Sequence, residues 1–138
     1  MEEEIVRKTV FAPVPRDLEE LASRTIECAF RVHRTLGPGL IESVYEACFC
    51  HELSRDKIPF EHQVDLPVEY GDVLLDAGLR LDLWVDKKLV IELKAVETVH
   101  PVHEAQLLTY MKLAGSRLGF LMNFNVAKLK DGITRRVL

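Results

Sequence analysis

The chain has 138 residues, 48% of them apolar, and a net charge of −4. It can therefore bury one sizeable core without disulfides. The negative charge excludes a protein that coats nucleic acid by bulk electrostatics. It does not exclude an enzyme whose acidic residues hold a cation. No apolar run approaches the roughly 20 residues of a membrane span, and the acidic start lacks the features of a secretory signal.

The first predicted segment, residues 1–15, is irregular or an edge segment that prolines close at positions 13 and 15. No repeat, low-complexity tract or linker interrupts the rest. Residues 1–138 are therefore predicted to form one domain.

Two helices are predicted next. The first runs to Leu36 at helical spacing, and Asp17 with Glu20 three residues later resembles a capping box at its start. Gly37-Pro38-Gly39 ends this helix. The second runs from about Leu40 to Arg55 and is apolar nearly all round, so we expect it to be well buried.

The spacing of apolar residues then changes from the helical period to the two-residue alternation of strands. Strands are predicted at Phe60–Tyr70, Val73–Val85, Leu89–Val96, Arg117–Phe124 and Ile133–Leu138, with a third helix at about Val102–Ala114. In the second strand, Leu81 and Leu83 are predicted to share a face with the other alternating apolar residues. The expected fold is α+β, a central mixed sheet flanked by helices.

A chemically informative pattern lies in the hairpin of the second and third strands. If its loop is the three residues Asp86 to Lys88, Asp82 lies directly opposite Glu92, with Cβ atoms about 5 Å apart. Lys94 shares the face of Glu92, since side chains two apart on a strand point the same way. Two carboxylates this close repel each other unless a cation lies between them.

Such a pair suits Mg²⁺ or Mn²⁺, which prefer oxygen ligands. The metal would activate water for attack on a phosphodiester, and the ammonium of Lys94 would orient that water. The alternative is a surface ion cluster on a half-exposed sheet. The metal site is favoured by the apolar neighbours Val90, Ile91 and Leu93, because they indicate an interior strand. A buried charge is unfavourable unless it is paired or binds a metal.

A second motif starts at Gly39. Gly39-Leu40-Ile41-Glu42-Ser43-Val44-Tyr45, preceded by His33-Arg34-Thr35-Leu36-Gly37-Pro38, resembles the signature of the GxxExxY family. That family is assigned to the PD-(D/E)XK, or restriction-endonuclease-like, superfamily. The resemblance covers about residues 18–124. It implies a core of helix, three strands, helix and strand, with Asp82 as the Asp and Glu92-Leu93-Lys94 as the E-x-K. Leu81 stands where the superfamily motif has a proline.

The resemblance adds further site candidates. It implies that Glu42 joins the acidic set, directly or through water. If the chain is a metal-dependent nuclease, the backbone carbonyl of Leu93 is a candidate for a third metal ligand. For Glu42 the alternative is a charge at the positive end of the helix dipole. Tyr45, one helical turn from Glu42, either contacts the site or substrate or belongs to the core.

The third helix carries Gln106 and Tyr110, four residues apart and therefore on one face. The resemblance includes this pattern and implies that Gln106 supports the E-x-K lysine. Capping or packing is the alternative for Gln106. Tyr110 is a candidate for substrate contact, and a core position is its alternative.

The remaining candidates are interpreted as structural. Three cysteines, an odd number, do not indicate a disulfide framework, so a reducing cytoplasm is expected. The pairs His100 with His103 and Cys48 to His51 lack the spacing of a four-ligand zinc site. His33 is expected to be structural.

Two functions compete at this point. The first is a metal-dependent nuclease acting on nucleic acid, DNA more than RNA, for which a homodimer would suit cleavage of two strands. The second is a non-catalytic module that keeps the fold and binds nucleic acid or a protein partner. The complete set of Asp82, Glu92 and Lys94 favours the first. The missing basic surface favours the second, or a nuclease that works with an accessory protein.

Overall fold

The structure, a computed structural model, describes residues 12–138, without the side chain of Ala77. Its elements follow the predicted order. Helices α1 to α3 span Arg16–Leu36, Glu42–Arg55 and Pro101–Ala114, and strands β1 to β5 span Phe60–Tyr70, Val73–Val85, Leu89–Lys94, Leu118–Asn123 and Ile133–Val137. A short 3-10 helix, Leu129–Gly132, precedes β5. Of the predicted irregular segment, residues 1–11 lie outside the described part, and residues 12–15 form neither helix nor strand.

The five described strands form one sheet in the order β1-β2-β3-β4-β5. Strands β3 and β4 are parallel, and the other three pairs are antiparallel. Helix α3 connects the two parallel strands, because a parallel pair needs a crossover that returns the chain to the starting end of the sheet. The predicted mixed sheet is confirmed.

Helix α1 begins differently from the prediction. Pro15 is its N-cap residue and no side chain caps the helix, so the predicted capping box of Asp17 and Glu20 is wrong. The carbonyl of Pro15 instead accepts hydrogen bonds from two amides of the first turn. Asp17 therefore lies inside that turn, where a carboxylate is favourable near the positive end of the helix dipole.

Apolar side chains pack on both faces of the sheet. The larger cluster lies against α1 and α2, and its fully buried members include Cys28, Tyr45, Phe49, Leu53, Leu83, Ile91, Leu93 and Phe124. The smaller cluster lies against α3 and comprises Leu66, Leu81, Val90, Leu107, Met111 and Leu121. Both faces of β3 are thus covered. A charged side chain on this strand therefore has few routes to water.

Strand β2 changes the face that it buries at Asp82. Leu83 packs in the cluster against α1 and α2, whereas Leu81 packs in the cluster against α3. The prediction that these two leucines share a face is therefore wrong. The neighbouring strand is irregular at the same level, because Gln63 in β1 has a φ of 51°. The departure from regular alternation thus lies beside the predicted site.

Candidate active site

The hairpin of β2 and β3 has the predicted register. Val85 pairs with Leu89 across the three-residue loop, and Leu83 pairs with Ile91. One step further along, Asp82 faces Glu92, and we call these two residues the carboxylate pair. The structure confirms the predicted three-residue loop, and the juxtaposition of Asp82 and Glu92 follows from it.

The carboxylate pair replaces backbone pairing at this point of the hairpin. The amide of Leu93 donates to Oδ2 of Asp82 at 2.8 Å, and the amide of Asp82 donates to Oε1 of Glu92 at 3.1 Å. Each carboxylate is therefore held by a backbone N–H of the opposite strand. Because backbone donors fix their orientation, the two side chains are preorganised rather than free to swing.

Burial makes the carboxylate pair reluctant to ionise. Asp82 is 9% exposed and Glu92 is 4% exposed. Burial raises the pKa of Asp82. Burial, with the negative charge of Asp82 next in size, raises the pKa of Glu92 to about 9. Burial and the neighbouring like charge therefore both disfavour ionisation of the pair in the absence of a cation.

Lys94 is the last residue of β3. The amide of Phe124 donates to its carbonyl at 2.8 Å. Beyond it the strand stops, because the side-chain amide of Asn123 binds both the N–H and the carbonyl of Val96, at 3.1 and 2.9 Å. Strand β3 therefore ends at Lys94 and not at the predicted Val96. The half-buried Lys94 is left at the mouth of the site.

Glu42 faces the carboxylate pair from the first turn of α2. It is half-buried, and burial, followed by the negative charge of Asp82, raises its pKa, while the charge of Lys94 acts in the opposite direction. The structure thus brings Glu42 within electrostatic reach of both strands. The helix starts at Glu42 rather than at Leu40, so the favourable helix-end position also applies to this carboxylate.

Tyr45 points away from this site. It is fully buried and stacks on Phe124 with ring centroids 4.8 Å apart. Its hydroxyl donates to the carbonyl of Gly37 at 2.6 Å and accepts from the amide of Leu40 at 3.2 Å. Of the two alternatives for Tyr45, the structure supports the core position and corrects the expectation of a substrate contact. Its role is to hold the loop that leads into α2.

Two residues that the sequence did not single out belong to the same cluster. Glu46, one turn after Glu42, has a side chain that is 15% exposed, and its pKa is raised first by burial and then by the charge of Asp82. Gln63 of β1 donates to Oε1 of Glu46 at 2.7 Å and approaches Oδ1 of Asp82 at 3.4 Å. The spacing of four from Glu42 was the available signal for Glu46. Gln63 gave none.

Gln106 lies on α3 between two residues that are within electrostatic reach of the site. One turn before it, His103 has its pKa lowered by burial and then by the positive charge of Lys94. One turn after it, burial and then the charges of the carboxylate pair raise the pKa of Tyr110. Gln106 itself is exposed. Tyr110 is half-buried against the α3 cluster, so its substrate contact stays a prediction.

The comparison with known families agrees with this geometry. A family model described as the PD-(D/E)XK nuclease superfamily matches residues 19–136. The chain belongs to that superfamily. No curated protein and no solved structure matches the chain significantly. The narrower GxxExxY assignment stays a resemblance. Within the superfamily, the helix, three strands, helix and strand of this chain form the restriction-endonuclease-like core.

PD-(D/E)XK nucleases generally use divalent metals, and the donor set of this site suits a hard cation. Within residues 12–138, no group of three or more His, Cys, Asp or Glu side chains is arranged to hold a metal ion. The carboxylate pair alone would supply the charged ligands. That fits Mg²⁺, which is bound through one or two carboxylates and keeps several waters. The carbonyl of Leu93 stays a predicted ligand.

Other contacts of this superfamily member do not involve the carboxylate pair. The amide of His100 donates to Nδ1 of His103 at 3.2 Å at the start of α3, and Nε2 of the buried His33 donates to the carbonyl of Val126 at 2.8 Å. A surface depression of about 600 Å³ lies between α1 and α2 and is lined by none of the predicted site residues. No helix of residues 12–138 is long and apolar enough to cross a membrane.

Proposed function

We propose that this chain is a Mg²⁺- or Mn²⁺-dependent nuclease that hydrolyses phosphodiester bonds, in DNA more than in RNA. The observation that carries the proposal is the carboxylate pair, because each of its members is buried, held by a backbone amide of the opposite strand and within electrostatic reach of Lys94. A buried pair of like charges is unfavourable in a fold that has no use for it. A cation between them removes that cost.

Each site residue would have a role that follows from its position. Asp82 and Glu92 would hold the cation, and one oxygen of each already accepts a backbone N–H. Bound there, the metal would polarise a phosphoryl oxygen and lower the pKa of a water molecule. Lys94, at the end of β3, would orient the attacking water and offset negative charge on the phosphate. Glu42, in the first turn of α2, would complete the acidic set through water.

Gln106 and Tyr110 would act on the third side of the site. Gln106 is exposed on α3, one turn after His103, which is within electrostatic reach of Lys94. An amide can accept a hydrogen bond from the ammonium and donate one to a phosphate oxygen. We therefore assign Gln106 to substrate positioning rather than to metal binding. The half-buried ring of Tyr110 would contact the substrate from the same helix.

The surroundings of the site also bear on when substrate can bind. Four carboxylates, those of Glu42, Glu46, Asp82 and Glu92, influence one another's charge, and Lys94 is the lysine among them. Such a surface repels phosphate until a divalent cation is bound. Metal binding would therefore precede nucleic-acid binding. The three cysteines are free, which supports a reducing compartment such as the cytoplasm.

A second candidate is a non-catalytic module that binds a protein partner. The β1–β2 hairpin favours it, because its exposed charged residues are mainly acidic: Glu61, Asp65, Glu69, Asp72 and Asp76, against Arg80. Its end also exposes apolar side chains, with Tyr70 77% and Leu74 65% exposed. An acidic, apolar surface suits a protein better than a phosphate backbone.

Cleavage assays separate these candidates. The purified chain is incubated with single- and double-stranded DNA and RNA in Mg²⁺, in Mn²⁺ and in EDTA. The nuclease proposal expects cleavage only with metal and its loss in Glu92→Gln, while the matched surface variant Glu20→Gln keeps it. No cleavage of any substrate, in a protein that binds metal normally, would favour the non-catalytic module.

A further inference from the structure

Gln63 has an unusual backbone conformation for its place in the sheet. It lies inside β1, where the register pairs His62 with Leu83 and Val64 with Leu81. Gln63 is therefore the residue opposite Asp82. Its φ is 51°. This value lies in the left-handed region, which residues other than Gly, Asn and Asp rarely enter. Strand pairing does not require this conformation, so other contacts of Gln63 must stabilise it.

The side chain of Gln63 shows what the conformation achieves. Its amide nitrogen lies 2.7 Å from Oε1 of Glu46 and 3.4 Å from Oδ1 of Asp82. The first contact is a good hydrogen bond and the second is a long one. A single amide thus connects helix α2, strand β1 and the carboxylate of Asp82. Strain at such a point is typical of functional sites, where surrounding contacts maintain it.

We propose that Gln63 is a positioning residue that, together with Glu46, fixes the Asp82 carboxylate in the orientation needed for metal binding. This inference rests on the proposed function. Oδ2 of Asp82 is already fixed by the amide of Leu93, so the contact to Oδ1 removes the remaining rotation. Residues that orient metal ligands in this way commonly contribute ten- to a hundredfold in metal affinity.

The competing explanation is that Gln63 only links α2 to the sheet. The two roles differ in what they change. A linking role affects the stability of the metal-free fold, whereas a positioning role affects the affinity of the folded protein for a cation. The second contact of Gln63, to Oδ1 of Asp82, is the one that a purely linking role does not require.

The test is calorimetric titration of Mn²⁺ into wild type and Gln63→Gly, with melting temperatures measured in EDTA. Glycine adopts a positive φ without strain, so this variant removes the amide while its backbone keeps its conformation. Lys57→Gly is the matched control, because Lys57 also has a positive φ, 57°, and lies in the turn after α2. Glu46→Ala and the double variant Glu46→Ala/Gln63→Gly complete the set.

The positioning role predicts that Gln63→Gly weakens Mn²⁺ affinity by on the order of tenfold or more, while Lys57→Gly binds as wild type does. Because Gln63 and Glu46 act as one unit, the double variant should bind no more weakly than the weaker single variant. Wild-type affinity in Gln63→Gly overturns the positioning role alone. Failure of wild type to bind Mn²⁺ overturns the proposed function and this inference together.

Discussion

Two groups of acidic side chains in this protein have different partners for their charges. Glu52 and Asp56 both bind Arg31, with its Nε 2.7 Å from the first carboxylate and its terminal nitrogen 2.6 Å from the second. The carboxylate pair Asp82 and Glu92 has backbone amides in place of an arginine. One group is an ion-pair network that joins α1 to the end of α2. The other is a buried like-charge pair.

Their pKa values reflect this difference. The hydrogen bond from Arg31 lowers the pKa of Asp56, whereas burial raises the pKa of Glu92 to about 9. A structural network satisfies its charges within the protein. A site whose charges are satisfied only by a bound ligand destabilises the folded protein when the ligand is absent. Each prediction below changes one of the two groups, and the other serves as reference.

The largest effect is expected on cleavage. Lys94→Ala should lower the cleavage rate by about a hundredfold or more, because removing one preorganised group that stabilises transition-state charge has an effect of this size. It should leave metal binding largely intact, since an ammonium is not a ligand. Single-turnover cleavage with saturating Mn²⁺ measures this. Lys130→Ala, at an exposed lysine of the 3-10 helix, is the control.

Metal should stabilise the fold through the carboxylate pair. At a concentration about a hundred times Kd, a cation that binds only the folded state adds about 2.7 kcal/mol. That corresponds to a rise in Tm of about 9 °C for a domain of this size. Asp82→Asn should remove most of this rise and can raise the Tm of the metal-free protein, because a repulsion disappears.

The ion-pair network provides the reference for that experiment. Glu52→Gln should keep the full metal-dependent rise in Tm, since Glu52 binds Arg31 and not the carboxylate pair. A full rise retained in Asp82→Asn would show that metal binds elsewhere, and an equal loss in both variants would show that the loss is not specific to the carboxylate pair. Differential scanning fluorimetry in EDTA, Mg²⁺ and Mn²⁺ measures both variants.

The two groups should respond to pH with opposite sign. The folded-state pKa of Glu92 is raised from 4.5 to about 9, so its contribution to stability is present below its ordinary pKa and lost as pH rises through the folded one. The slope is at most about 1.4 kcal/mol per pH unit. The pKa of Asp56 is lowered, so its contribution is present above its ordinary pKa and lost only in acid.

Urea unfolding in EDTA between pH 5 and pH 9 checks this expectation, with the pH range set by the raised pKa of Glu92. Relative to Glu92→Gln, the wild type should lose stability steadily as pH rises. Parallel curves for the two proteins would mean that Glu92 ionises normally. Asp56→Asn should be less stable than wild type throughout this range, because the contribution of Asp56 is absent, and the two proteins should converge only in acid, below the ordinary pKa of 3.8.

The smallest effect is expected from the network itself. Arg31→Met keeps the aliphatic stem and removes the charge. Because the three side chains are partly exposed, solvent screening limits the loss, and we expect Tm to fall by about 3 °C. Mn²⁺ affinity and cleavage should stay at the wild-type level. A loss of Mn²⁺ affinity would indicate that α1 supports the site.

Much of the fold followed from periodicity. Helical spacing to Leu36, strict alternation in β1 and the three-residue loop from Asp86 to Lys88 led to the correct order and register. These signals are strong because each depends on only a few neighbouring residues. The element ends were less certain. The capping box at Asp17 was wrong because Pro15 takes the N-cap position, and β3 ended early because Asn123, distant in sequence, binds Val96.

The site was predictable only as far as the hairpin extends. Asp82, Glu92 and Lys94 follow from strand geometry, whereas Glu42 needed a family resemblance to connect α2 to the sheet. Gln63 was missed because an exposed polar residue in an alternating strand gives no sequence sign of a contact with Asp82. Its positive φ has no sequence signal, since glutamine is not a residue that favours this conformation. Tertiary contacts decided its role.

The loop before α2 should not behave like a loop in hydrogen exchange. Its amide at Leu40 donates to the hydroxyl of Tyr45, and the ring of Tyr45 is fully buried against Phe124. The amide can exchange with solvent only when that packing opens. The amide of Leu40, directly after Gly39, should therefore exchange on the slow timescale of the core rather than on the fast timescale of a surface turn.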